Sequence, residues 1–383
     1  MYVGGGVLKR VQKLSIPILI ALFNVFLIFH AAEMVAAAKD GVQLWFNQVL
    51  PALLPFAVGA NLLAGLGFIR LLGIIMAPIM IPVFNVSGAG AFALLTGLTS
   101  GYPMGAKAVA HLRETGQIGK REAQRLIAFT NNAGPLFVIG FVGTGLFGST
   151  LAGYGLLLSH IAGAVFVGIL FRFLWPSEPA QKYSPPQNSD VAESFGQVLG
   201  NSIKNAMESM TLVGGYIILF CVVIKALELS GFFGLLGIFV NESQVPIVTG
   251  FAAGVLEVAN GAKILTQGGE VTRATLSTAA TIISFGGFSV HAQTAHFIKQ
   301  TDIRFGLYLL AKCLQAIVAG IICWHIAPWF LPQLHGEVPV TLMWQENFFV
   351  DRFARASIDF ILIVGSMLVG AKLIGFWIRV RSQ

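Results

Sequence analysis

From Leu126 to Phe171 the chain carries no Asp, Glu, Lys or Arg, and apolar stretches of this kind recur along most of its length. A bilayer core admits a helix of about 20 apolar residues, because lipid cannot pair a free backbone N–H or C=O. Apolar segments fall at roughly 14–37, 45–67, 70–85, 88–110, 124–145 and 150–173, then at 206–228, 231–243, 245–266, 274–297, 305–330 and 353–378. These predict an all-α polytopic membrane protein of about twelve hydrophobic segments. Those at 70–85 and 231–243 are short and are expected to be full crossings or re-entrant pieces. Only 11% of the 383 residues are charged, against about 25% in soluble domains. A soluble domain is thereby excluded.

The net charge of +7 is spread over loops with no dense Lys/Arg patch, so it points to the positive-inside rule and not to nucleic acid. Lys9, Arg10 and Lys13 place the N-terminus in the cytoplasm, ahead of a retained first span. The same alternation puts Arg113, Lys120, Arg121 and Arg125 inside, with Lys299, Arg304 and the tail carrying Arg379 and Arg381. The loop at 332–352, with Glu337, Glu346 and Asp351, falls outside. Cys221, Cys313 and Cys323 all lie in apolar stretches without metal-ligand spacing.

The stretch WPSEPAQKYSPPQNSDVAES at 175–194 is rich in Pro, Ser and Gln and reads as a flexible linker. It divides the chain into a first membrane repeat at 1–174, a cytoplasmic linker at 175–204, a second repeat at 205–300 and C-terminal spans at 301–383. The halves share a pattern. TGLTSG at 96–101 has a counterpart in TGFAAG at 249–254, 153 residues on, and both continue to Gly-Ala-Lys, at Lys107 and Lys263. FTNNAGP at 129–135 faces IISFGGF at 282–288, again 153 residues apart at Gly134 and Gly287. On the expected topology the copies run in opposite senses. Inverted repeats with Gly/Pro-interrupted helices at matching positions point to the midplane site of a secondary transporter. A half-helix that starts after such a break presents its positive end to an anion.

The residues SGYPMGAKAVAHLRETGQIGKREAQRLIAFTNNAGPLFVIG (100–140), LWFNQVLPALLPF (44–56) and GVLEVANGAKIL (254–265) resemble the YlbJ, or SpoVV, family of sporulation membrane proteins. That family carries a nucleoside recognition or Gate domain, here centred on about 96–140. The resemblance implies transport of dipicolinic acid into the forespore, across the outer forespore membrane. Dipicolinate as substrate follows from the resemblance alone.

The candidate substrate-binding residues cluster at the interruptions. Ser100 and Tyr102 flank Gly101 before Pro103, a favourable first helical position, and Lys107 lies about one turn further, where it meets an anionic carboxylate or anchors at the interface. Asn131 and Asn132 precede Gly134-Pro135 and offer amide donors and acceptors. Glu257 and Asn260 stand in the second copy, where a carboxylate suits a coupling proton or cation, or an ion pair with Lys263 or Lys107. Ser284, Ser289 and Gln293 lie on a further glycine-rich interruption, with His291 as a proton shuttle or a satisfied buried histidine.

No HExxH face, P-loop, GxSxG elbow or paired acidic motif is present, so no enzyme, ATP-driven pump, metal or cofactor is expected. His291 and His296 are five apart, which is not the spacing of a zinc helix. The reading is a secondary transporter for a small anionic metabolite, with a proton or cation as coupling partner. A nucleoside or other organic-anion carrier and a non-transport spore membrane assembly protein are the alternatives.

Overall fold

The computed structural model describes residues 4–174, 194–268 and 271–331, and every regular element among them is helical. The apolar segment at 353–378, the loop at 332–352 and most of the linker lie outside the described residues. The first half contains α1 (Gly4–Phe29), α2 (Ala31–Leu44), a π-helical turn (Trp45–Val49), α3 (Leu50–Gly65), α4 (Phe68–Phe84), α5 (Gly90–Ser100), α6 (Met104–Glu114), α7 (Lys120–Thr130), a π-helical segment (Leu136–Leu146) and α8 (Thr150–Leu174). The second contains α9 (Phe195–Leu229), α10 (Phe232–Gly237), α11 (Val245–Leu256), α12 (Val258–Thr266), α13 (Arg273–Phe285), α14 (Gly287–Ile298) and α15 (Phe305–Ile326).

Among the described residues three helices are long and apolar enough to cross a bilayer, within Thr150–Phe173, Phe195–Leu229 and Phe305–Trp329. A fourth candidate is the pair Pro17–Phe29 and Ala31–Val49, bent by 100° at His30. The other apolar segments among the described residues form shorter helices. The one expected at 231–243 is the six-residue α10 followed by a 3-10 turn, too short to span. Those expected at 88–110, 124–145, 245–266 and 274–297 are each two helices joined at a break.

Helix α9 begins inside the stretch read as linker. Ser194 and Gln197 form a reciprocal capping box, the Gln197 N–H donating to Ser194 Oγ at 3.4 Å and the Ser194 N–H to Gln197 Oε1 at 2.9 Å. Two of the N–H groups that a helix start leaves unpaired are satisfied this way.

In lipid, helices associate through close packing more than through a hydrophobic drive, so small residues carry the contacts. Here Gly97 and Gly105, on α5 and α6, both abut the carbonyl oxygen of Thr130, while Gly101 packs on Gly134. In the second half Gly261 lies against Gly254 and the Gly250 carbonyl, and Gly287 against the carbonyls of Gly254 and Leu256. Each broken helix thus rests on another broken helix. Helix α15 packs against α13, α8 and α7 and buries Tyr308, Lys312 and Gln315.

Candidate functional site

Every helix break frees backbone groups, and their partners define the site. Helix α5 ends at Gly101, whose φ of 76° and ψ of −179° fall in a region that is essentially open to glycine alone. Helix α6 follows with Pro103 at its N-cap, after a cis Tyr102–Pro103 bond. Helix α7 ends at Asn131, with φ −90° and ψ 88°. Its freed groups are paired by side chains: Asn132 Nδ2 donates to Phe129 O at 2.7 Å, Lys312 Nζ to Asn131 O at 2.8 Å, and the Ala133 N–H to His160 Nε2 at 3.0 Å. Helix α12 begins under the carboxylate of Glu257, which accepts from the N–H groups of Ala259 at 3.1 Å and Asn260 at 2.8 Å. A carboxylate at a helix N-terminus meets the positive end of the helix dipole. Helices α13 and α14 are separated by Gly286, with φ 91°, and α14 starts at Gly287, with φ 76°.

The breaks surround a cavity of about 340 Å³. Its walls include Gly101 and Tyr102, Gly134, Leu136 and Phe137, Glu257, Val258 and Ala259, and Ser289, Val290 and Gln293, closed by α3 and α9 through Leu53, Val213 and Ile217. Tyr102, Phe137 and Phe141 form a run of aromatic rings, with centroids 6.3 and 5.5 Å apart. Gln293 is 2% exposed; its Oε1 and the Tyr102 hydroxyl make no hydrogen bond. Buried polar atoms are paired in the great majority of cases, so two unpaired atoms in one cavity wall mark a place for a polar ligand or water.

Beside this cavity runs a buried polar network. Asn131 Nδ2 donates to Tyr308 OH at 2.9 Å and Thr294 Oγ1 at 3.0 Å, and Tyr308 OH lies 3.1 Å from His291 Nδ1. Lys312 Nζ also donates to Gln315 Oε1 at 2.6 Å, and Gln315 Nε2 donates to Asn132 Oδ1 at 3.0 Å. His160 Nδ1 is 2.9 Å from Ser284 Oγ. Since His160 Nε2 accepts from Ala133, its proton resides on Nδ1 and the imidazole is neutral.

A larger cavity, of about 650 Å³, lies further along the same helices. Lys107 is there, donating to Ser209 Oγ at 2.7 Å and Asn205 O at 3.2 Å, with Asn201, Glu208, His111 and His296 in the same walls. Between the two cavities Leu53, Ala57, Met104, Ala206 and Met210 form a buried apolar cluster, with Leu53 lining the smaller and Met104 the larger.

The structure therefore sorts the sequence candidates. Tyr102, Glu257, Ser289 and Gln293 line the smaller cavity. Asn131, Asn132, Ser284 and His291 belong to the polar network, and Asn260 braces Glu257 through a 2.9 Å bond. Ser100 is fully buried, with its hydroxyl unpaired, and lies in neither cavity wall. Lys107 lines the larger cavity, and Lys263 is exposed on the last turn of α12 and lines neither. His160, Thr294, Tyr308, Lys312 and Gln315 were not singled out in the sequence. For Lys312 and Gln315 the signal was there: a lysine and a glutamine three apart, on one face of an otherwise apolar helix.

Arg113, on the last turn of α6, grips Asp302 with Nε to Oδ1 and Nη2 to Oδ2, both 3.0 Å, joining α6 to the α14–α15 loop. The hydrogen bond from Arg113 holds the Asp302 carboxyl below its ordinary value, and Lys120 at 3.8 Å adds to the effect. Among the described residues no group of three or more His, Cys, Asp or Glu is placed to hold a metal ion.

Comparison with known proteins places the chain in a family. Residues 46–161 match the family described as nucleoside recognition (Gate). The chain is 34% identical over 334 residues to the sporulation integral membrane protein YlbJ of Bacillus subtilis (strain 168), covering 79% of this chain and 81% of that protein. No solved structure matches.

Proposed function

Since the chain belongs to the YlbJ family of sporulation integral membrane proteins, we propose that it is a secondary carrier for a small carboxylated aromatic metabolite, with dipicolinate the first candidate. One observation carries the reading: the cavity of about 340 Å³ walled by the helix breaks, with aromatic rings on one side and unpaired polar atoms at Tyr102 and Gln293. Its size falls in the range of about 300–1,000 Å³ typical of ligand pockets. The first turns of the π-helical segment and of α14, at Leu136, Phe137 and Ser289, are in its wall, and helix N-termini favour carboxylates. Tyr102, Phe137 and Phe141 offer faces and edges to an aromatic ring.

In this reading α5–α6 and α11–α12, α7 with its π-helical continuation and α13–α14, and α8 and α15 are paired copies of opposite sense. The two sets open the cavity to each side of the membrane in turn, with both chain termini in the cytoplasm. Glu257 places a negative group in the same wall, so a dicarboxylate enters together with a proton or another positive charge.

The test is uptake of labelled dipicolinate by vesicles reconstituted with the full chain. Uptake above protein-free vesicles that Glu257→Gln abolishes is the expected result, and none above that background refutes the reading. Uptake of uridine in its place would transfer the assignment to a nucleoside carrier, the reading favoured by the Gate family match at 46–161.

A further inference from the structure

We propose that Lys312 is the proton-carrying site of this carrier, a tethered ammonium seated at the cut end of α7 where a free coupling cation would otherwise be required. The proposal rests on the transport reading above. Lys312 stands near the middle of α15 and is 1% exposed. Among the described residues no carboxylate lies within ion-pair distance of it, and its Nζ is held by Asn131 O and Gln315 Oε1. A charge inside a membrane span without a counter-charge is costly and marks function by default.

What compensates the charge is the break itself. Asn131 O is a carbonyl released at the C-terminal end of α7, where the helix dipole is negative, and unwound carbonyls of discontinuous helices are cation ligands. The ammonium occupies that place on a leash. From it the network reaches the α7 break, α8 and α14. Gln315 passes the contact to Asn132 and to His160 O on α8, while Asn131 passes it to Thr294 on α14 and to Tyr308.

Loss of one proton to water leaves a neutral amine with two N–H groups and a lone pair. Both bonds then lose their charge assistance, which is worth roughly half their strength, and the grip of α15 on the α7 break loosens. Regaining a proton from water restores it. The proton balance is closed at Nζ and water alone.

The other ionisable groups around Lys312 fit the role less well. His160, on α8, would have to break its bond from the Ala133 N–H in order to take a proton on Nε2. Tyr308, on α15, and His291, on α14, are joined at 3.1 Å, and His291 Nε2 is unpaired, which makes His291 the rival site. Arg125 lies nearer the start of α7, and the ionisable group of α13 is Arg273, at its far end beside Trp324.

The experiment reads access to the smaller cavity without substrate. In a full chain with Cys221, Cys313 and Cys323 replaced, Ser289→Cys provides a thiol in the cavity wall, and its maleimide labelling is followed between about pH 5.5 and pH 9. With Lys312 present, the rate is expected to change by about threefold or more beyond the thiolate fraction, a population shift between closed and open forms. Lys312→Met and Lys312→Arg are expected to label with no such change, the arginine variant at the low-pH level, and His291→Gln to keep it. A pH response that survives in Lys312→Met, is absent with Lys312 present, or is lost in His291→Gln overturns the proposal. The arginine variant keeps the charge and guards against misreading a folding defect. In vesicles, an imposed pH gradient is expected to drive dipicolinate uptake by the natural sequence but not by Lys312→Met. Vesicles that move no dipicolinate at all refute the substrate, and the labelling result still decides the proton site.

Discussion

Gly105 faces the carbonyl oxygen of Thr130 so closely that a Cβ in its place would overlap the oxygen, and Gly97 meets the same atom from the other side of the break. Gly105→Ala is therefore expected to force apart α6 and the end of α7. Over-packing of this kind costs about 1–3 kcal/mol, and the thermal midpoint of the detergent-purified protein should fall accordingly. Gly215→Ala is the control: nothing lies within 4 Å of a Cβ there, so its midpoint should be unchanged or slightly raised.

Gly140 lines the smaller cavity, and an added Cβ there meets nothing within 4 Å. Gly140→Leu should fill the cavity while leaving the packing intact. The expected result is a stability change within the range of a surface substitution, about ±0.5 kcal/mol, with dipicolinate binding and uptake lost. Retained uptake would remove this cavity from the solute's path.

The carboxylate of Glu257 accepts from two backbone N–H groups at the start of α12. Glu257→Gln keeps one oxygen acceptor but turns an amide toward a donor, so a loss of about 1–3 kcal/mol is expected. Glu257→Asp retains the charge and should recover part of that loss. Chemical denaturation in mixed micelles would rank the three proteins.

Because its partner Arg113 depresses the Asp302 carboxyl, the pair stabilises the fold above the ordinary carboxylate value of about 3.9 and ceases to do so as pH falls through the lower folded value. The pair is exposed to solvent, so its contribution near neutrality is only about 0.2–1 kcal/mol and shrinks with salt. Asp302→Asn should lower the midpoint by a corresponding amount at pH 7, with the gap closing in acid and in high salt. A gap that persists at low pH would place the effect outside this ion pair.

The interruption at Gly101–Pro103 was legible in the sequence because glycine and proline oppose a regular helix for reasons internal to the chain. The same holds for Gly286–Gly287. The partners of the breaks were not legible. Lys312 and Asn131 are 181 residues apart, and His160 sits alone in an apolar helix; only folding brings them to the freed backbone groups. Composition also said little about helix length. The apolar segment at 231–243 forms only a six-residue helix between Gly231 and Gly237, while Ser194 and Gln197 start α9 inside a stretch that looked like linker.

That early start has a consequence for where the protein meets water. Helix α9 has 35 residues, about 52 Å at 1.5 Å per residue, against a hydrocarbon core about 30 Å thick. Even a steep tilt leaves a good part of it among the headgroups or beyond. Its polar end is the N-terminal one, where Asn201, Ser202, Lys204, Asn205 and Glu208 precede the apolar run, and four of these five line the cavity that holds Lys107. In the transport reading the helix acts as a depth gauge: its polar end carries the Lys107 cavity toward the headgroups, and the side chains of Leu53, Met104 and Met210 stand between that cavity and the smaller one.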